Sequence, residues 1–285
     1  MHKKELSMVA YRTLLLDLKD DLGGNLNSKD VTTSKLIPKR LFVKTVISNR
    51  EDITICGLNF ISHFIKNKFP NLELSMHFKD GDFLKKNSTV CFLNGSCETI
   101  LKIERTVLNF MQHLSSISTQ TKKFVEILKN TGTILLDTRK TMPGLRALQK
   151  YATKIGGAQN HRMNLNDDIL IKDNHIISNG GFEKTLKKIK FNRLKNFKIE
   201  CENFDDVLLV IKYGGKYILL DNMKVDEISK CIFYKNKNKL DVKFEITGGV
   251  NIENIKKYSK LKADFISIGK LTNSLNSVDI GLDII

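Results

Sequence analysis

The sequence predicts an α/β protein: parallel strands alternating with helices, in an open sheet or a closed barrel, behind a small α+β domain. Three observations predict it. After about residue 130, short apolar runs recur with helical patterns between most of them, the signature of βα units. Before about residue 105 the runs are mixed and broken by turn residues. Finally, the six later runs end in charged or glycine-rich residues, and the C-terminal strand ends of a βα barrel share the face where its chemistry sits.

In chain order, Leu6, Val9, Leu14 and Leu18 set an opening helical pattern. Strand-like runs follow at Leu41-Phe42-Val43 and Thr89-Val90-Cys91-Phe92. Turn signals stand at Asn49-Arg50, Asp80-Gly81-Asp82 and Asn94-Gly95. A long amphipathic helix is expected from about Glu98 to Lys129, its apolar positions Leu101, Val107, Leu108, Met111, Leu114, Ile117, Phe124, Val125 and Leu128 following a helical repeat of threes and fours. The strands then expected are Thr133–Asp137, Ile169–Lys172, Lys198–Glu202, Tyr217–Asp221, Lys243–Thr247 and Phe265–Gly269. The helices between them are Leu145–Lys154, Asp205–Tyr213, Val225–Phe233 and Ile252–Lys260. The domains expected are 1–105, completed by the tail 271–285, and 106–270.

With 285 residues, 41% hydrophobic and 27% charged, the chain has ordinary globular proportions. No apolar run approaches a membrane span, and Asp17, Asp20 and Asp21 interrupt what could resemble a signal peptide. A soluble cytoplasmic protein is expected. Five cysteines without CxxC pairs read as reduced, buried thiols. The net charge of +16 is spread along the chain, densest from Glu183 to Lys198. Few aromatics interleave it and no nucleic-acid motif accompanies it, so compositional drift toward Lys, Asn and Ile explains it better than a specific nucleic-acid partner.

The stretch from Leu135 to His175 concentrates the chemistry, packing Arg139, Lys140, Arg146, His161, Arg162, Lys172 and His175 among Gly-Gly turns and strand-like runs. Clustered like charges repel, and a polyanionic ligand relieves the repulsion. Arginine grips carboxylate or phosphate bidentately, while lysine acts as a point charge. Glu200 and Asp221 fall near the ends of neighbouring strands and suit Mg²⁺ bound to a phosphorylated substrate. Gly248-Gly249 and Gly269, at the last strand ends, suit phosphate binding by backbone N–H groups.

Several motifs in order resemble the nicotinate-nucleotide pyrophosphorylase family, also called quinolinate phosphoribosyltransferases. They are Glu104-Arg105-Thr106 with Leu108-Asn109-Phe110, LLDTRKTMPGLR from Leu135, GGAQNHR from Gly156 and ILIKDNH from Ile169. ECEN from Glu200, LLDNM from Leu219, TGGV from Thr247 and ISIG from Ile266 complete the set. The resemblance implies an incomplete (β/α) barrel of parallel strands with a small N-terminal α+β domain packed on it. It implies the decarboxylating transfer of phosphoribose from phosphoribosyl pyrophosphate to quinolinate with Mg²⁺, in NAD biosynthesis. It also implies a homodimer with a shared active site, a hexamer being the alternative.

By motif position, Arg105, Arg139, His161, Arg162 and Lys172 would bind the two quinolinate carboxylates, with Thr138 in the same motif. Lys140 and Lys172 would lie near the reacting centre and pyrophosphate. Glu200 and Asp221 would hold the metal or the ribose hydroxyls, and Thr247, Gly248, Gly249 and Gly269 the 5′-phosphate. Arg50 would be contributed across the dimer. Three departures from the family pattern stand out: Met142 in place of a small polar residue, Thr247 in place of serine, and a longer linker over 24–29. Competing readings are a relative using a monocarboxylate, which would need fewer cations, and a basic nucleic-acid binder, which would not need Glu200 and Asp221.

Overall fold

A computed structural model describes residues 3–285. In chain order its elements are α1 (Lys3–Asp21), α2 (Val31–Leu36), β1 (Phe42–Asn49), β2 (Ile53–Thr54), α3 (Leu58–Lys68), β3 (Glu73–Met76), β4 (Phe83–Leu84), β5 (Thr89–Ser96) and α4 (Cys97–Leu128). Next come β6 (Ile134–Leu136), α5 (Arg146–Ile155), β7 (Leu170–Ile171), α6 (Asp173–Ser178), α7 (Phe182–Phe191), β8 (Lys198–Cys201) and α8 (Phe204–Lys212). The chain finishes with β9 (Tyr217–Asp221), α9 (Val225–Lys237), β10 (Lys243–Thr247), α10 (Ile255–Ser259), β11 (Phe265–Ser267), α11 (Lys270–Asn273) and β12 (Ile280–Ile284).

Two compact units result: residues 1–122 with 142–156 and 274–285, and residues 123–141 with 157–273. A division at 105/106 would cut the 32-residue α4, whose apolar face is continuous through that point. In the first unit, antiparallel strands run in the order β12-β1-β5-β3. The tail strand β12 pairs with β1 from Thr45↔Ile284 to Asn49↔Ile280. Helices cover this unit's core with Leu14 and Leu18 of α1, Ile61 and Phe64 of α3, and Ile103, Val107 and Met111 of α4. Each such side chain contributes about 1.5–3 kcal/mol on burial.

The Asn94-Gly95 turn expectation fails. Both residues lie inside β5, paired with Lys44 and Val43 of β1. A Cβ on Gly95 would stand 2.5 Å from Leu72, so this glycine serves close packing rather than reversal. The 24–29 linker enters through Gly23 and Gly24, both at positive φ with open space around them. It ends where Asp30 caps α2 by accepting from the Thr32 N–H at 2.9 Å.

In the second unit six parallel strands run in the order β6-β11-β10-β9-β8-β7. This is an incomplete α/β barrel, with β6 and β7 as its edges. Strand alternation sets its two faces. Ile199, Cys201, Ile218, Leu220, Phe244, Ile246 and Ile266 join the core beneath the helices. The intervening Lys198, Glu200, Tyr217, Leu219, Asp221, Lys243, Glu245, Thr247, Phe265 and Ser267 take the opposite, inner face.

The basic stretch 183–198 begins as α7, which buries Leu186 and Ile189 and turns its lysines outward, Lys187 pairing with Glu183 at 3.0 Å. All five cysteines are free and buried, and burial pushes the Cys91 and Cys231 thiols up to about 12. Among the described residues no helix is long and apolar enough to cross a membrane.

Candidate active site

The chemistry-bearing residues of the second unit gather where its strands end. At the edge, β6 is extended by a bridge from Leu136 to Gln159, with Gln159 N donating to Leu135 O at 2.9 Å. That bridge carries the Asn160-His161-Arg162 segment back beside Asp137. Fully buried Asp137 accepts from His161 N at 2.8 Å and from Asn160 Nδ2 at 2.6 Å. One strand-end carboxylate thereby orients the whole segment.

Arg162 follows, 8% exposed, with Nη1 donating to Asp168 O at 2.8 Å. Its Nε is buried without a hydrogen-bond partner, and so is the Nε of Arg139. Burial first, and then the like charge of Arg139, hold the Arg162 guanidinium below its usual proton affinity. A buried guanidinium nitrogen without an acceptor costs free energy that an incoming anion would recover. The two arginines, close enough to repel, are matched to a ligand with more than one negative group.

Lys172 Nζ reaches Glu200 Oε1 at 2.5 Å from the end of β7. The His175 Nδ1 accepts from the Lys172 N–H at 3.0 Å, closing the first turn of α6. Burial raises the Glu200 carboxyl above its ordinary value, Lys172 opposes the shift, and the Asp221 charge adds to it. The charges of Glu200 and Asp221 therefore act on each other. Among the described residues no group of three or more His, Cys, Asp or Glu could hold a metal. The donor set fits a cation such as Mg²⁺, which keeps much of its shell as water and substrate phosphate.

Beyond β10, Gly248 has φ +85° and a Cβ there would fall 2.2 Å from Asn222 Oδ1, while Gly249 has φ +62° and open space. Asn222 itself is left-handed at φ +53°, its side chain hydrogen-bonded to Asp221 at 3.1 Å. Only glycine permits both the conformation and the close approach at Gly248. After β11, Gly269 lies against Lys140, with Lys140 Cδ 3.0 Å from where its Cβ would be and Thr138 Oγ1 at 3.6 Å. Thr138 Oγ1 accepts from Lys140 N at 3.0 Å, and Thr272 Oγ1 donates to Lys140 O at 2.7 Å.

The second unit thus brings together Thr138, Arg139, Lys140, His161, Arg162, Lys172, Glu200, Asp221, Thr247, Gly248, Gly249 and Gly269. Arg105, exposed on α4, and Arg50, exposed after β1, belong to the first unit. The Arg50 guanidinium lies over Gly281 of β12, where a Cβ would stand 2.7 Å from Nη2. Met142 is exposed, its N–H bonded to Gln149 Oε1 at 3.0 Å.

Sequence reasoning left two residues out. Asp137 was visible as a strand terminus but not as the anchor of a distant loop. Glu245 is 1% exposed on the inner face of β10, accepting from Tyr217 Oη at 2.9 Å. Its signal was present in the sequence as an acid amid the apolar run Phe244–Ile246, on a strand buried on both faces.

A barrel with this rim defines a polyanion-binding enzyme site of the phosphoribosyltransferase type. The quinolinate phosphoribosyl transferase N-terminal and C-terminal domain models match residues 30–115 and 117–283. A probable nicotinate-nucleotide pyrophosphorylase [carboxylating] of Methanocaldococcus jannaschii is 36% identical over 276 residues, covering 94% of this chain and 96% of that protein. The nicotinate-nucleotide pyrophosphorylase [carboxylating] of Mycobacterium leprae is 31% identical over 96% of this chain and 97% of its own. The crystal structure of the Ehrlichia chaffeensis nicotinate-nucleotide pyrophosphorylase matches with a TM-score of 0.88 at 37% identity, over 100% of this chain and 99% of that one. The chain belongs to the quinolinate phosphoribosyl transferase family.

Proposed function

We propose that this protein transfers the phosphoribosyl group of phosphoribosyl pyrophosphate to quinolinate, releasing pyrophosphate and CO₂ and giving nicotinate mononucleotide for NAD biosynthesis. The observation that carries this reading is the pair Arg139 and Arg162, each with a buried Nε that has no partner. Two neighbouring guanidinium groups suit the adjacent carboxylates of quinolinate and exceed what a monocarboxylate needs.

Breaking the bond from ribose C1 to pyrophosphate develops positive charge on the sugar and negative charge on the leaving group. Lys140 and Lys172 stabilise the latter. The quinolinate nitrogen attacks C1; when the adjacent carboxylate departs as CO₂ its electron pair stays on the ring carbon, stabilised by the neighbouring cationic nitrogen, and takes up a proton from water to give nicotinate mononucleotide. The arginines hold the ring for that attack, and water exclusion at the partly buried rim strengthens their grip. Thr247, Gly248, Gly249 and Gly269 receive the 5′-phosphate. Glu200 and Asp221 would hold Mg²⁺, which would supply charge neutralisation on the pyrophosphate, or the ribose hydroxyls. Arg50 is supplied by a second copy of the chain, in a homodimer.

The test is turnover with quinolinate, phosphoribosyl pyrophosphate and Mg²⁺, following nicotinate mononucleotide by chromatography beside a tube with nicotinate. Product from quinolinate alone is expected. Product from nicotinate alone, or from neither tube, would overturn the reading. Light scattering at micromolar concentration tests the dimer.

A further inference from the structure

Beneath the arginine pair lies a buried chain of side chains that the transfer chemistry does not use. Tyr217 Oη donates to Glu245 Oε2 at 2.9 Å. His161 Nε2 stands 3.5 Å from the same oxygen, with side-chain exposures of 7% for His161 and 1% for Glu245. The other ring nitrogen, Nδ1, accepts from the backbone N–H of Arg162 at 2.9 Å. A backbone N–H can only donate, so Nδ1 carries no proton and the ring proton sits on Nε2, directed at Glu245. Burial works against the Glu245 charge, but the His161 ring and the Ser267 and Tyr217 hydroxyls outweigh it and hold the carboxyl below the usual glutamate range.

Nδ1 of His161 is therefore hydrogen-bonded within the protein, and Nε2 faces the Glu245 carboxylate at 3.5 Å. We infer that Glu245 is a positioning residue for substrate binding: it locks the His161 ring, and through Nδ1 the backbone of Arg162, while Tyr217 locks Glu245. The role rests on the quinolinate reading above. It makes His161 the link between the barrel interior and Arg162. Arg162 is then held at two points, its N–H on the His161 ring and its Nη1 on Asp168 O, leaving Nε for the ligand. Glu245 suits the task because its strand is paired on both sides, by β9 through Glu245↔Leu219 and by β11 through Glu245↔Phe265. Such an anchor moves far less than a loop residue.

Two measurements test it. In ligand-free protein, ¹⁵N-imidazole NMR, with His161 assigned by its loss in His161→Gln, should show the Nε2–H form. An Nδ1–H or averaged ring would overturn the inference. In steady-state kinetics Glu245→Leu should raise the KM for quinolinate about tenfold or more, with the KM for phosphoribosyl pyrophosphate changed less than twofold. Glu245→Gln, which still offers an acceptor to His161, should recover most of that loss. Tyr217→Phe should raise the quinolinate KM about threefold and serves if Glu245→Leu does not fold. An unchanged quinolinate KM, equal rises for both substrates, or no recovery with glutamine would each refute the role. Absence of wild-type turnover would instead refute the functional reading, and the NMR result would still decide the lock.

Discussion

The barrel sheet has cations where its strands begin and where they finish, and the two ends treat them differently. Where the strands begin, Lys198 pairs with Asp168 at 2.8 Å and lies over the Tyr217 ring, and Lys216 pairs with Asp241 at 2.8 Å. On the helix side of the same end, Lys235 pairs with Asp264 at 2.7 Å. Where the strands finish, Arg139 and Arg162 each keep a buried Nε without a partner. Positive charge alone therefore distinguishes nothing in a chain of net charge +16. Lys172, paired with Glu200 at 2.5 Å, shows that a site cation can also have a partner; what sets the two arginines apart is a buried nitrogen whose desolvation only a ligand would answer.

That contrast can be broken by experiment. Arg139→Ala should have the largest effect, about a hundredfold or more on the quinolinate KM, with phosphoribosyl pyrophosphate binding still measurable by calorimetry. Equal loss of both ligands would remove the distinction between the arginines and the phosphate-binding rim. Asp221→Asn should raise the Mg²⁺ concentration for half-maximal turnover about tenfold, read from a metal titration. Gly248→Ala, forced into Asn222 at positive φ, should destabilise by about 1–3 kcal/mol and weaken phosphoribosyl pyrophosphate binding.

A smaller effect concerns acid stability. The folded Glu245 carboxyl lies below its ordinary value of 4.5, so its contribution is fully present above that pH and is lost as pH falls through the folded value. Melting temperature should accordingly drop more between about pH 5 and 3 in wild type than in Glu245→Gln. The smallest effect belongs to the beginning of the strands. Lys216→Ala breaks a pair exposed by 74% and 87% and should shift the melting temperature by less than about 1 °C.

How much of this was legible in the chain differs by level. Strands β9 and β10 follow the expected bounds, Tyr217–Asp221 and Lys243–Thr247, because alternation and the change to polar residues coincide there. The expected helix Ile252–Lys260 starts late, at Ile255, because Asn251 Oδ1 accepts from both Glu253 N and Asn254 N and holds a turn instead. Helices α3, α6 and α7 escaped notice; α7 read only as a run of lysines until Leu186 and Ile189 were found inward. In the site, charge types and strand ends could be read directly. Whether a given nitrogen has a partner could not, since that depends on residues brought together from Asp137, Asp168 and Glu245.

The pairing of β12 with β1 has a consequence for synthesis. The strand that completes the first sheet is encoded after every strand of the barrel. On the ribosome, β1 must therefore wait with one edge unpaired while more than two hundred residues are added, a long-range closure of the slow and aggregation-exposed kind. Until Ile280–Ile284 is made, β1 lacks the strand that pairs with that edge. This makes the last five-residue strand a point of vulnerability far from any chemistry.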